Sequence, residues 1–411
     1  MSRSWVCIAV GVTVGFAVGC SENGGNAPSD GQLDAPVSPR CGDGVVVPGE
    51  LCLQSSIALS TTTNEVQDLA VGDFNEDTLP DLVVANLDGG VVFIAIAPAQ
   101  YGAGIAIPMV DAISVNVADF DNDGHQDLAV GRQSSTNQVT FLWGDGTGAF
   151  PNRVSVANPY TATVSASAIG DFNKDGRADV ATSTNGNAQS LLLVRNDGGR
   201  SFTAASTPAF PMITTTAGNN VAVGDFNGDA HLDLLAGMTV GSTAGSTLVF
   251  MNDGAGAFAS PVQVTPACNG NCVVAGVAAG KLNADTYDDI VLATSGASQQ
   301  GVGVELSSGA NGIFSLPDRY DVGSNSFTPT IGDLDADGDR DIVVPVPQQD
   351  TVVILLGDDT GKFTAQPPLS VSPLGRGPRR IVIADLNKDG AVDLVTANGL
   401  TRNVSLFLAN P

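Results

Sequence analysis

From about residue 55 onward, short runs of Val, Ile, Leu and Thr alternate with clusters of Gly, Asn and Asp. No heptad and no long amphipathic stretch interrupts them, so the pattern predicts strands and turns rather than helices. The runs fall into a unit that recurs seven times. A first strand ends in a small residue: Gly72, Ala118, Gly170, Gly224, Gly280, Gly332 or Ala384. An acidic loop follows, then a second strand. A third strand runs into a glycine turn such as GDGTGAF (144–150), NDGGRSF (196–202) or NDGAGAF (252–258), and a fourth strand closes the unit.

The acidic loops begin at Asp73, Asp119, Asp171, Asp225, Lys281, Asp333 and Asp385, at intervals of 46 to 56 residues. A repeat of this period means that each unit leans on its neighbours. Seven four-stranded units predict an all-β fold, a seven-bladed β-propeller. Loop position 2 is always Phe or Leu and position 10 always Leu, Val or Ile, so these two are expected to fill the space between blades. The last unit stops after its third strand, VSLFLAN, whereas a spare strand-like piece, SSIALSTT (55–62), precedes the first loop. That N-terminal strand is expected to complete the last blade and remove a free sheet edge.

The loops carry the chemistry. Oxygen side chains fall at positions 1, 3, 5 and 9, spacing that turns alternate residues inward around a point. The candidate ligands are Asp73, Asn75, Asp77 and Asp81 in blade 1; Asp119, Asp121, Asp123 and Asp127 in blade 2; and Asp171, Asn173, Asp175 and Asp179 in blade 3. They continue with Asp225, Asn227, Asp229 and Asp233 in blade 4; Asp333, Asp335, Asp337 and Asp341 in blade 6; and Asp385, Asn387, Asp389 and Asp393 in blade 7. Converging carboxylates need a cation, and six to eight oxygens in a flexible cage suit calcium. Blades 2, 3, 6 and 7 place glycine at position 6, where the turn is sharp; blades 1 and 4 have Thr78 and Ala230 there, which predicts weaker sites. In blade 5 Lys281 replaces the first aspartate, so about six ions are expected and blade 5 is expected to hold none.

The net charge of −26 excludes nucleic acid as a natural partner. Residues 1–19 carry Arg3 and an apolar run from Trp5 to Val18, an export signal too short to span a bilayer. It ends at Cys20 in a sequence similar to a bacterial lipobox, which implies lipidation of Cys20 and an outer-membrane lipoprotein, since no Asp follows the cysteine. Residues 20–40 read as a flexible linker. Cys41 can pair with Cys52 and Cys268 with Cys272, as suits an oxidising compartment. The stretch CGDGVVVPGELC resembles cysteine-rich modules of bacterial secreted proteins and reads as a small collar over 41–54.

The repeats over 55–411 resemble the FG-GAP/VCBS family, calcium-loop propeller repeats also found in integrin α-subunit heads. The resemblance implies calcium at positions 1, 3, 5 and 9, with the carbonyl of position 7. It does not fix a function, because members include adhesion receptors, lectins, polysaccharide lyases and sensor ectodomains.

Three readings follow. A calcium-scaffolded, monomeric binding or adhesion module would recognise glycan or protein ligands at the cell envelope. A polysaccharide-active enzyme is the second, but His125 and His231 both stand at loop position 7 and no His-centred constellation is visible. A structural component of an envelope complex is the third. Trp143 precedes a glycine turn and suits either an exposed platform or the core. The basic cluster Arg376, Arg379 and Arg380 reads as a solvated loop before the last blade that could meet an anion.

Overall fold

The computed structural model describes residues 6–9 and 46–409 apart from 47, 62–64, 110, 134–137, 158–162, 186–190, 207–215, 241–243, 265–271, 297–299 and 311. Its strands form seven antiparallel blades arranged as a closed ring. The innermost strands are Val66–Gly72, Ala112–Ala118, Thr163–Gly170, Thr216–Gly224, Cys272–Gly280, Thr330–Gly332 and Pro378–Ala384. Each touches the next, and the last touches the first. Blade 2 shows the common order: Ala112–Ala118, Asp127–Arg132, Gln138–Trp143 and Asn152–Ala157 lie side by side.

The ring is closed as the strand pattern predicts. Glu50–Ser60 pairs antiparallel with Asn403–Ala409 and becomes the fourth strand of blade 7, with Leu59 opposite Val404. The strand begins at Glu50, so residues 50–54 already belong to this sheet, and Leu51 and Leu53 are buried between blades 6 and 7. Val6–Ala9 adds a further outer strand against Glu50–Leu53, with Cys7 opposite Cys52. Cys52 is disulfide-bonded. Cys20, Cys41 and Cys268 lie outside the described residues.

Seven hydrophobic cores fill the spaces between neighbouring blades. In each, the apolar residue at loop position 2 meets position 10 of the following blade. Phe74 packs with Leu128, Phe120 with Val180, Phe172 with Leu234, and Phe226 with Ile290. Leu282 packs with Ile342, Leu334 with Leu394, and Leu386 with Leu82 across the closure. All of these are buried. Burying such a side chain contributes about 1.5–3 kcal/mol, so one apolar pair per junction ties adjacent blades together. The glycine before the loop is explained in blades 1 and 3, where a Cβ on Gly72 would meet Gln126 and Phe74 and one on Gly170 would stand 2.9 Å from Leu232 Cδ1.

Candidate metal centres in the interstrand loops

Each acidic loop joins the first two strands of its blade, and its geometry is built from the aspartate at position 9. That residue is buried in all seven blades. Its Oδ2 accepts the N–H of position 2, and its Oδ1 accepts an N–H at the end of the third strand. Asp127, for example, is bound by Phe120 N–H at 2.9 Å and Gly144 N–H at 2.8 Å. The same pair of bonds holds Asp81, Asp179, Asp233, Asp289, Asp341 and Asp393. Position 9 therefore ties three strands of the blade to one carboxylate.

Positions 1, 3 and 5 shape the loop itself. Oδ2 of position 1 accepts the N–H of position 6 in all six loops that begin with Asp, at 2.9 Å for Asp119 and Gly124. Position 5 accepts the N–H of position 7 in all seven. The six aspartate loops share two left-handed residues, at position 4 (Glu76, Asn122, Lys174, Gly228, Ala336, Lys388) and position 6 (Thr78, Gly124, Gly176, Ala230, Gly338, Gly390). In blade 5 neither Ala284 nor Thr286 is left-handed. There the loop is held from outside, by Ala284 N–H to Asp359 O at 3.1 Å in blade 6. Lys281 is exposed and makes no ion pair among the described residues, and its charge opposes the burial that raises the pKa of Asp288.

Carboxylates crowd together in the two loops that have Asp at all four positions. Oxygens of Asp119, Asp121 and Asp127 lie within 4.8 Å of one another, as do those of Asp333, Asp335 and Asp341. Oδ1 of Asp333 and Oδ1 of Asp335 are buried with no hydrogen-bond partner among the described residues. Buried oxygens left open in an all-oxygen donor set fit a hard cation such as calcium. Burial pushes the position-9 acids up, to about 6 for Asp127, Asp179, Asp233 and Asp289 and about 7 for Asp341 and Asp393, against the two N–H bonds that pull down. Neighbouring loop acids raise them further.

The third-strand turns do a job that the sequence pattern leaves hidden. In five blades they reach back to the position-2 carbonyl of the preceding blade. Asn196 Nδ2 donates to Phe120 O at 2.6 Å, Asn252 Nδ2 to Phe172 O at 2.8 Å and Ser307 Oγ to Phe226 O at 2.7 Å. Gly148 N–H reaches Phe74 O and Ala99 N–H reaches Leu386 O. The Asn that opens both NDG turns is the signal that could have revealed these latches.

Three other sequence expectations are settled by position. Trp143 belongs to the core, 3% exposed, stacked near Phe141 and Phe202, with the Arg200 guanidinium 4.8 Å from its ring. Arg200 also binds Asp121 Oδ2 at 2.5 Å, across the blade 2–3 junction. His125 contacts Glu76, which holds its pKa above the usual value, and His231 Nδ1 lies 3.2 Å from Asp229 Oδ1. Arg379 and Arg380 do not form a solvated loop. They begin the innermost strand of blade 7 and line the central cavity, because ring closure brings that strand beside blade 1; Arg376 pairs with Asp350 at 2.9 Å.

The loops with this geometry match the FG-GAP-like repeat model at residues 73–130, 119–182, 171–236 and 333–396, more than half of the chain. The chain belongs to the FG-GAP-like repeat family. The FG-GAP matches pass over 237–332, the stretch that holds the Lys281 loop. The FG-GAP ring is also similar to solved structures. An Agrocybe aegerita lectin that recognises non-reducing terminal N-acetylglucosamine is 20% identical, with a TM-score of 0.54 over 83% of this chain and 94% of that one. BBS1N in complex with ARL6DN, from crystals soaked with lead, is 10% identical, with a TM-score of 0.53 over 87% of this chain and 97% of that one. No curated protein matches the chain.

Proposed function

We propose that this FG-GAP propeller is a non-catalytic binding module of the bacterial envelope, scaffolded by calcium in six of its seven loops. The observation that carries the calcium reading is the shared loop conformation. Six loops hold their acids inward through the same left-handed pair and the same position-1 bond, and the loop that begins with Lys281 has neither. Asp or Asn at positions 1, 3 and 5 and the buried aspartate at position 9 would hold each ion, with the position-7 carbonyl. Calcium there would neutralise the clustered carboxylates and stiffen the end of every blade.

Binding rather than catalysis is supported by how the reactive side chains are used. His125 contacts Glu76, His231 stands beside Asp229, and the loop acids are committed to loop geometry. The ring suits recognition of either macromolecular class: a similar fold recognises a sugar in the Agrocybe lectin, and another forms a protein complex in BBS1N–ARL6DN. The export signal and Cys20 support delivery to the outer membrane through a lipid anchor; processing before Cys20 would remove the Val6–Ala9 strand and leave Glu50–Ser60 as the outer strand of blade 7. Among the described residues no helix is long and apolar enough to cross a membrane.

A glycan array probed with the full-length chain in calcium, and again in chelator, tests this reading. Calcium-dependent glycan binding is the expected result. A blank array from folded, calcium-loaded protein would move the ligand to the protein class, and turnover of an arrayed polysaccharide would overturn the non-catalytic assignment.

A further inference from the structure

The ring encloses a central cavity of about 530 Å³, within the range of about 300–1,000 Å³ found for small-molecule sites. Its wall is polar, although nothing about ring closure requires this. Counting four residues back from the small residue that ends each innermost strand gives one side chain per blade. Five of the seven are polar and line the cavity: Asp68, Ser114, Asn220, Thr328 and Arg380; the other two positions are Ala166 and Gly276.

Most of these groups are already tied to one another. Ser167 Oγ donates to Ser114 Oγ at 2.7 Å and accepts from Asn116 Nδ2 at 2.6 Å, joining blades 2 and 3. Asn220 Nδ2 reaches Thr328 Oγ1 at 2.5 Å, spanning from blade 4 to blade 6 over Gly276. A Cβ at Gly276 would stand 2.3 Å from Thr328 Cα, so the glycine is what permits this crossing. Asp68 accepts Leu69 N–H at 2.9 Å and Val115 N–H at 3.0 Å. Arg379 is held by Glu65 at 2.8 Å and Gln67 at 3.3 Å.

Two groups keep hydrogen-bonding capacity in reserve. Arg380 is ion-paired with Asp68, Nε to Oδ1 at 3.3 Å, and no second partner holds its terminal guanidinium nitrogens among the described residues. Ser165 Oγ is buried and has no partner among the described residues. Phe327 lines the same cavity. The open nitrogens of a guanidinium can bind a carboxylate through charge-assisted, often bidentate, bonds, a fork geometry that a single neutral hydroxyl cannot match. The rigid hydroxyl and amide ladders are suited to the hydroxyl groups of a sugar.

We propose that the central cavity binds a carboxylated sugar unit, a hexuronate or related sugar acid, with its carboxylate on Arg380 and its hydroxyls toward Ser165 and Asn116. This rests on the glycan-binding reading above and specifies where and what the module recognises. The cavity is separate from the acidic loops, so calcium supports this site without touching the ligand.

Isothermal titration of the full-length chain in calcium tests this with galacturonic acid, its trimer, galactose and a neutral galactose trimer. Binding of the acid forms at least tenfold tighter than the neutral forms, lost by at least tenfold in Arg380→Gln, is expected. Ser165→Ala removes the unpartnered hydroxyl without adding volume or disturbing the Asp68–Arg380 pair, and is expected to weaken the same binding several-fold with an unchanged melting temperature. Monomer binding would identify a free or terminal sugar acid as the source; binding of the trimer alone would identify a polymer chain. Neutral sugars bound as tightly as acids, or uronate binding unchanged in both variants, would overturn the cavity assignment while leaving the glycan-binding module standing. No binding of either trimer, together with a blank array, would overturn both.

Discussion

Asp289 accepts the N–H of Ser307 at 2.7 Å, although its loop begins with Lys281 and lacks the left-handed pair of the other six. Its other oxygen takes Leu282 N–H at 3.0 Å. The position-9 aspartate thus builds the blade whether or not the rest of its loop is arranged for a cation. Removing it leaves two buried N–H groups unpaired, each costing about 1–3 kcal/mol. Asp289→Ala is expected to lower stability by about 2–4 kcal/mol, and Asp289→Asn by roughly half as much because one acceptor survives. Chemical denaturation of both variants in chelator checks the order; an alanine variant as stable as the parent would contradict it.

Glu305 breaks the pattern of the cores. It lies opposite Ile290 on the third strand of blade 5, where the other blades place Phe93, Leu142, Val194, Phe250, Leu355 and Phe407. It is fully buried, neither oxygen has a partner among the described residues, and burial pushes its pKa up to about 8, with Arg319 pulling weakly the other way. The folded pKa is above the unfolded one, so the contribution of Glu305 to stability is fully present below about pH 4.5 and is lost as pH rises toward 8, by at most about 1.4 kcal/mol per pH unit. In saturating calcium, Glu305→Leu is expected to flatten this slope and to gain about 1–3 kcal/mol at pH 8. A melting-temperature profile from pH 5 to 9 with the same slope in both proteins would rule this out.

Thr78 has φ of 73°, a left-handed conformation that a β-branched residue adopts at a cost of about 1–2 kcal/mol. Glycine stands at the same place in blades 2, 3, 6 and 7. Thr78→Gly is therefore expected to stabilise the protein by about 1 kcal/mol and to tighten calcium in blade 1. Equal or lower stability would show that the hydroxyl or methyl of Thr78 is needed there.

Arg200 lies across Trp143 and binds Asp121 and Asp123, two of the acids of blade 2. Arg200→Ala is expected to uncover Trp143, shifting its fluorescence to longer wavelength, and to raise the calcium affinity of that loop several-fold by freeing its carboxylates. Unchanged emission and unchanged affinity would mean that this contact has no role in either.

The ring was legible because its signals are local and repeat. Strand, loop and apolar positions 2 and 10 recur once per blade, and SSIALSTT (55–62) was readable as the missing strand because blade 7 had only three. What joins distant parts of the chain was not legible. Arg379 and Arg380 read as loop residues beside Gly375, Gly377 and Pro378, and only closure of blade 7 on blade 1 sets Arg380 next to Asp68, 312 positions earlier in the chain. The Asn196 and Ser307 latches were hidden for the same reason: a turn residue serves a carbonyl of the blade before it. Glu305 could have been found by aligning the third strands, where a lone carboxylate replaces Phe, Leu or Val.

Elemental analysis of the purified, calcium-equilibrated chain tests the central claim most directly. Six calcium ions per chain is the expected value, one for each loop that begins with aspartate, and a melting temperature that falls when chelator removes them. Seven ions would contradict the reading of the Lys281 loop, and none, with melting unchanged by chelator, would contradict the calcium scaffold itself.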